Sequence, residues 1–257
     1  MIASVLYSAA MSKCQALILA AGRGERMRPL TDSTPKPLLQ VRGRPLIEWH
    51  ADALLRGGFD RIAVNCAWLG DQVEAWAQGF AAARGCTTAV SHEGRDFGGA
   101  LETLGGICRA LPLLDDVFWV VAGDVFVPDF AFTPAAMQRF AQSGRLGHLW
   151  LVPNPPHNPQ GDFGIGADGS ALNVVASDAS TEGPPRHTFS TIALYRRALF
   201  MPPHCAIAPG NPQGDKAALA PLLRAAMDRG TISAELYRGA WADVGTPQRL
   251  AELNAVA

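Results

Sequence analysis

Lysine is nearly missing from this chain: Lys13, Lys36 and Lys216 are three among 22 basic side chains, so arginine is its default cation. Charge of either sign is without excess, the formal net being −1. That balance argues against a general binder of nucleic acid, which usually carries a basic surplus. No stretch comes near the roughly 20 apolar residues required to span a bilayer. Five cysteines, an odd number with no C-x-x-C pair, read as reduced thiols of a cytoplasmic protein. Six histidines without metal-ligand spacing, and the lack of a G-x-S-x-G elbow, leave nothing to support a histidine metal site or a hydrolase triad. Internal repeats and low-complexity tracts are also missing.

What is present is enough apolar sequence, 48% of 257 residues, for a full core. Residues 1–14 are expected to be an extension, disordered or upstream of the true start, because they lack the basic leader and apolar length of a signal peptide. Residues 15–257 then form one domain. Strands are predicted at Ala16–Ala20, Arg61–Asn65 and Thr87–Ser91, alternating with helices at Pro45–Leu55, Gly70–Arg84 and Leu101–Leu111. Val117–Ala122 is an unbroken apolar run, as expected of a central parallel strand buried on both faces. The alternation implies a doubly wound, mostly parallel α/β sheet. The second half loosens after a strand at His148–Val152 and a Pro/Asn/Gly-rich loop at Pro153–Gly161. Ala171–Ala176 and Thr188–Tyr195 read as strands of a small antiparallel extension. A helix at Ala217–Arg229, a strand at Ala234–Tyr237 and a helix at Pro247–Asn254 complete the chain.

The most informative run follows the first strand. Gly22 and Gly24 interrupt a loop whose small residues let backbone N–H groups turn inward around phosphate oxygens. Arg23, Arg26, Arg28 and Lys36 bring cations to the same loop, opposed only by Glu25 and Asp32. A loop this basic in a near-neutral chain suits a polyanion such as a nucleotide or sugar phosphate. Lys36 lies between Pro35 and Pro37 in a stiffened segment, and its ammonium is a compact point charge suited to bridging phosphate oxygens. Gly22-x-Gly24 is not the dinucleotide fingerprint, since that motif's third glycine would fall at Met27.

Two aspartates carry the rest of the chemistry. Asp124 follows the buried strand, where ligands gather outside the carboxyl ends of parallel strands. Carboxylate and phosphate repel, so an acidic residue there points to Mg²⁺ between them, with a turn or cap aspartate as the plain alternative. Asp243 precedes a helix beginning near Thr246, and by spacing alone metal binding and local turn chemistry both stay open. Gly105 and Gly106, near the start of a helix, suit either a nucleobase edge or close packing on the sheet. Asp162 suits either a sugar hydroxyl or a turn.

Together these motifs resemble the sugar-1-phosphate nucleotidyltransferases. Residues 19–31 and 35–38 match the family pattern L-A-A-G-x-G-x-R-[ML]-x-P-L-T followed by P-K-[PA]-L, and Gly123-Asp124 and Trp241–Thr246 match its G-D and W-x-D-[VI]-G-T. The chain looks most like the bacterial subgroup that makes UDP-N-acetylmuramate in cell-wall recycling. The resemblance implies in-line attack of a sugar 1-phosphate on the α-phosphate of UTP, with Mg²⁺, and no nucleic-acid or membrane partner. It implies a nucleotide-binding half at 15–125 and a sugar-phosphate-binding half at 126–257, in a monomer or small homo-oligomer. It implies catalytic roles for Arg26, Lys36, Asp124 and Asp243, the last two holding the metal. Nucleotide contacts follow for Leu19, Ala20, Gly22, Gly24, Glu25, Arg26, Lys36, Glu93, Gly105 and Gly106. Sugar-phosphate contacts follow for Asp162, Ser190 and Lys216. The chain departs from the subgroup at Leu104, where glycine is usual, and at Arg95–Gly99, which reads as an insertion. A mannose-1-phosphate guanylyltransferase or glucose-1-phosphate thymidylyltransferase is the alternative within the class. A sugar-nucleotide sensor without activity is the alternative outside it.

Overall fold

The computed structural model describes residues 13–174 and 184–255. Within them the elements run β1 (Cys14–Ala20), β2 (Gln40–Val41), β3 (Arg44–Pro45), α1 (Leu46–Arg56), β4 (Arg61–Cys66), α2 (Gly70–Arg84) and β5 (Thr87–His92). Next come α3 (Glu93–Phe97), α4 (Glu102–Ala110), β6 (Leu114–Ala122), β7 (Val125–Phe126), α5 (Pro134–Gln142) and β8 (Gly147–Val152). The chain continues through β9 (Phe163–Ile165), β10 (Ala171–Leu172), β11 (Arg186–Arg196), α6 (Leu219–Asp228), β12 (Ile232–Leu236), β13 (Ala242–Asp243) and α7 (Pro247–Ala255).

The main sheet runs β5-β4-β1-β6-β11-β8-β12. All neighbours are parallel except β11, which lies antiparallel between β6 and β8. Alternate residues of its central strands feed two apolar layers, as the period of two requires. Phe118 and Val120 of β6 pack with Ile107 of α4 and Leu222 of α6 on one face. Trp119 and Val121 pack with Leu54 of α1, Val73 of α2 and Phe140 of α5 on the other. This is a doubly wound sheet covered on both faces. The small antiparallel extension is also present, with β9 paired to β10 and to the start of β11.

One expected boundary needs correction. Cys14 belongs to β1, not to an extension: it is buried and pairs with Leu114. Residues 1–12 lie outside the described part, as do Val175 and Ala176 of the strand expected at Ala171–Ala176. The Arg95–Gly99 stretch is mostly helical, forming α3 with Glu93, and it is capped by the His92 ring, which accepts from the Arg95 amide. A second small sheet, β7 with β13, has no sequence precursor long enough to be seen. No helix among the described residues is long and apolar enough to cross a membrane.

Candidate active site

The carboxyl ends of β1, β4 and β6 open on one cavity of about 390 Å³. Its floor is set by a buried relay. The Ala20 amide donates to Asn65 Oδ1 at 2.7 Å, and Asn65 Nδ2 donates to Glu93 Oε1 at 2.7 Å. Glu93 Oε2 accepts from the Leu101 amide at 2.8 Å. Glu93 is fully buried, and burial pushes its carboxyl above the usual range while the two donors pull it back. A Cβ on Gly106 would stand 2.6 Å from Glu93 Oε1, so the relay requires glycine there.

The loop after β1 divides its cations. Gly24 sits at φ 68°, and a Cβ would meet Thr31 Cγ2 at 3.0 Å, so glycine serves both its conformation and its close approach. Arg23 donates to the Thr31 carbonyl and to Asp32 and lies 3.7 Å over the Trp68 ring. Arg28 pairs with Glu25 and Asp32, each at 3.3 Å. Arg26 is exposed on the cavity wall and makes no ion pair among the described residues. Two of the four cations thus hold the loop itself, leaving Arg26 and Lys36 facing the cavity.

Lys36 is buried between its prolines, and its Nζ donates to Asp124 Oδ2 at 2.7 Å. Asp124 leads into β7, whose ladder with β13 sets Asp243 opposite Val125. The Val244 amide donates to the Asp124 carbonyl at 3.1 Å, tying the two turns together. Asp243 Oδ1 pairs with Arg249 and with His157 Nε2, the latter at 2.9 Å. Beneath them His50 is buried, its Nε2 donating to the Val125 carbonyl at 2.8 Å, and burial pushes its pKa down to about 4.

Of the residues singled out from the sequence, Leu19, Ala20, Gly22, Gly24, Glu25, Arg26, Lys36 and Asp124 line this one cavity. Asp243 stands behind Gly245, which lines it. Glu93 and Gly106 lie beneath the wall, and Gly105 packs against the Asp215 carbonyl. Asp162, Ser190 and Lys216 are elsewhere. The Asp162 carboxylate accepts from the Phe189 amide at 2.8 Å and faces Asn158 Nδ2 at 3.3 Å. Ser190 is fully buried at the β11 bulge and donates to the Trp150 carbonyl at 2.6 Å. Lys216 is exposed. Leu104, the departure nearest the cavity in sequence, turns into the core.

Sequence reasoning assigned no role to Asn65, Glu102, Thr103, His157 or Arg249. Asn65 carried a signal, being polar near the carboxyl end of a parallel strand beside the crevice. His157 and Arg249 carried none, because only the folding of a loop and of the last helix brings them to Asp243.

Residues 16–162 match the MobA-like NTP transferase domain. The chain is 46% identical over 245 residues to the N-acetylmuramate alpha-1-phosphate uridylyltransferase of Neisseria meningitidis serogroup B, covering 95% of this chain and 98% of that one. It is 28% identical over 238 residues to the protein of the same name from Caulobacter vibrioides, covering 82% and 97% respectively. Among solved structures, a Bacillus anthracis protein assigned as a glucose-1-phosphate thymidylyltransferase superposes with a TM-score of 0.72 at 21% identity, over 95% of each chain. At that identity the likeness shows the fold alone.

Proposed function

The chain belongs to the MobA-like NTP transferase family, and from that premise we propose that it makes UDP-N-acetylmuramate and pyrophosphate from UTP and N-acetylmuramate α-1-phosphate. The observation that carries the reading is the convergence, on one cavity, of the glycine loop, Arg26 and the Lys36–Asp124 pair. Near-full-length identity of 46% to the Neisseria uridylyltransferase supports the choice of uridylyl and muramate.

In the reaction a phosphate oxygen of the sugar 1-phosphate attacks the α-phosphorus, the bond to the bridging oxygen breaks, and pyrophosphate leaves. Positioning and charge neutralisation do the work; no covalent nucleophile is needed. Gly22 and Gly24 let the loop backbone approach the phosphates, with Leu19, Ala20 and Glu25 shaping the same wall. Arg26, which has no carboxylate partner among the described residues, takes the pyrophosphate. Lys36 places its charge beside Asp124, at the reacting phosphate. Glu93, Gly105 and Gly106 act from beneath, holding Asn65 and the start of α4.

Asp124 and Asp243 offer oxygen donors from adjacent turns joined by the β7–β13 ladder, a donor set that fits a hard divalent cation and Mg²⁺ in particular. Mg²⁺ bound there supplies charge neutralisation at the phosphate oxygens. Residues 15–125 would carry the nucleotide and 126–257 the sugar phosphate. Asp162 and Ser190 would then act indirectly, by holding β11 through the Phe189 amide and the Trp150 carbonyl, and Lys216 from outside the cavity.

Pyrophosphate release with Mg²⁺, measured over a matrix of nucleoside triphosphates and sugar 1-phosphates, tests the proposal. The UTP and N-acetylmuramate α-1-phosphate pair should give the highest kcat/KM. Turnover only with GTP and mannose 1-phosphate would overturn the substrate assignment. A chain that turns over no pair would overturn the activity.

A further inference from the structure

Glu102 is the first residue of α4, and its backbone lies in the left-handed region at φ 59°. Glycine adopts such angles freely, whereas a Cβ crowds the neighbouring carbonyl, so the position is strained. Its side chain is exposed on the cavity wall and, among the described residues, has neither a hydrogen bond nor an ion pair. The fold therefore gains no internal contact from a carboxylate at a position suited to glycine. Strain of this kind, kept where nothing internal uses it, marks functional positions.

The surroundings say which part of a ligand it meets. Glu102 follows Leu101, whose amide is held by Glu93 and through it by Asn65 at the end of β4, beside the uncharged Ala100 and Thr103. The other charged groups of the cavity are Glu25, Arg26 and Lys36 of the loop after β1 and Asp124 of the turn after β6, with β1 lying between β4 and β6. A carboxylate needs a cation between it and a triphosphate, and the two aspartates proposed to hold one stand at the β7–β13 ladder rather than at the end of β4, so Glu102 faces the uncharged nucleoside. An ionised carboxylate only accepts hydrogen bonds. The nucleoside must then present a donor, and uridine has two kinds: the base N3–H and the ribose hydroxyls.

We propose that Glu102 is a specificity-determining residue whose carboxylate accepts a hydrogen bond from the nucleoside of the substrate, from the uracil N3–H or the ribose 2′-hydroxyl. The inference rests on the uridylyl reading above. It also gives the chain a means of rejecting CTP by the base contact, because cytosine presents an acceptor at N3 and would leave two acceptors facing each other.

Glu102→Gly removes the carboxylate and relieves the backbone together, so folding is not at risk. Calorimetric binding of UTP, 2′-deoxy-UTP and 3-methyl-UTP, with Mg²⁺ and without sugar phosphate, is compared with thermal melts. E102G should melt about 2–4 °C higher while binding UTP about tenfold more weakly. The unsubstituted protein should lose a similar factor with whichever analogue lacks the contacted donor, and E102G should not distinguish that analogue from UTP. E102Q keeps an acceptor oxygen and should recover part of the affinity. Equal UTP affinity in E102G and the unsubstituted protein overturns the inference and leaves the uridylyl reading intact. An unsubstituted protein that binds another triphosphate but not UTP overturns that reading, and the inference with it.

Discussion

Lys36 Nζ lies 2.7 Å from Asp124 Oδ2, across a separation of 88 residues in sequence. The contact joins the loop after β1 to the turn after β6, the two strands being parallel neighbours in the sheet. Lys36 is buried and Asp124 is partly exposed to the cavity, so the pair presents one charge of each sign at the wall. Lys36→Ala and Asp124→Asn are expected to lower kcat by at least about a hundredfold, the scale of losing a preorganised charge at a reacting centre. Cooperative thermal unfolding should persist in both. Pyrophosphate release together with calorimetry checks this, and near-full activity in either variant would remove the assigned role.

Asp243 and Arg249 make opposite demands on a cation. If Asp243 holds the metal as proposed, Asp243→Asn removes the negative charge and one of its two carboxylate oxygens, and the half-saturating Mg²⁺ concentration should rise several-fold. Arg249→Ala removes the guanidinium that competes for Asp243 Oδ1, so that concentration should fall. Mg²⁺ titrations of both variants decide the point. Equal shifts in one direction would mean that Asp243 does not hold the metal.

Gly106 and Gly22 separate packing from function. At Gly106 an added Cβ would stand 2.6 Å from Glu93 Oε1 and 2.8 Å from Asn65 Nδ2. Gly106→Ala should therefore cost about 1–3 kcal/mol of stability by breaking a buried polar relay. At Gly22 no atom lies within 4 Å of an added Cβ. Gly22→Ala should keep its melting temperature and raise the KM for the triphosphate. Melting curves and kinetics on the pair test both halves of the statement.

His50 gives a pH signature. Its imidazole has a reference pKa of 6.5, and burial holds it near 4 in the folded chain, so the fold favours the neutral ring. Between those values the unfolded chain binds the extra proton. The contribution is thus fully present above about pH 6.5 and declines as pH falls toward 4, by up to roughly 3 kcal/mol. His50→Gln keeps a donor for the Val125 carbonyl and cannot titrate, so its stability should vary less over that range. Chemical denaturation at pH 4.5, 5.5 and 7 measures the difference. Parallel curves for the two proteins would contradict it.

The loop cations show where sequence reading stops. Arg23, Arg26, Arg28 and Lys36 look equivalent along the chain, yet Arg23 and Arg28 are engaged by Trp68, Asp32 and Glu25. Which cation is left for a ligand depends on side chains packed from other segments. Gly105 and Gly106 were open between a base edge and close packing. Their absent Cβ atoms face Asp215 and Glu93, which places both beneath the wall.

Local order was the sequence's own to determine. The apolar runs of β1 and β6, the alternation of strand and helix, and the loop with Gly22, Gly24 and Lys36 all follow from residues adjacent in the chain. Backbone propensity and burial period act over just such distances. Only the tertiary structure decided which distant groups share an atom-scale neighbourhood. The β7–β13 ladder sets Asp243 beside Asp124, His157 and Arg249 arrive from a loop and a terminal helix, and Glu102 reaches the cavity at a strained φ. Those relations are set by how the sheet is covered and closed, and no spacing along the chain encodes them.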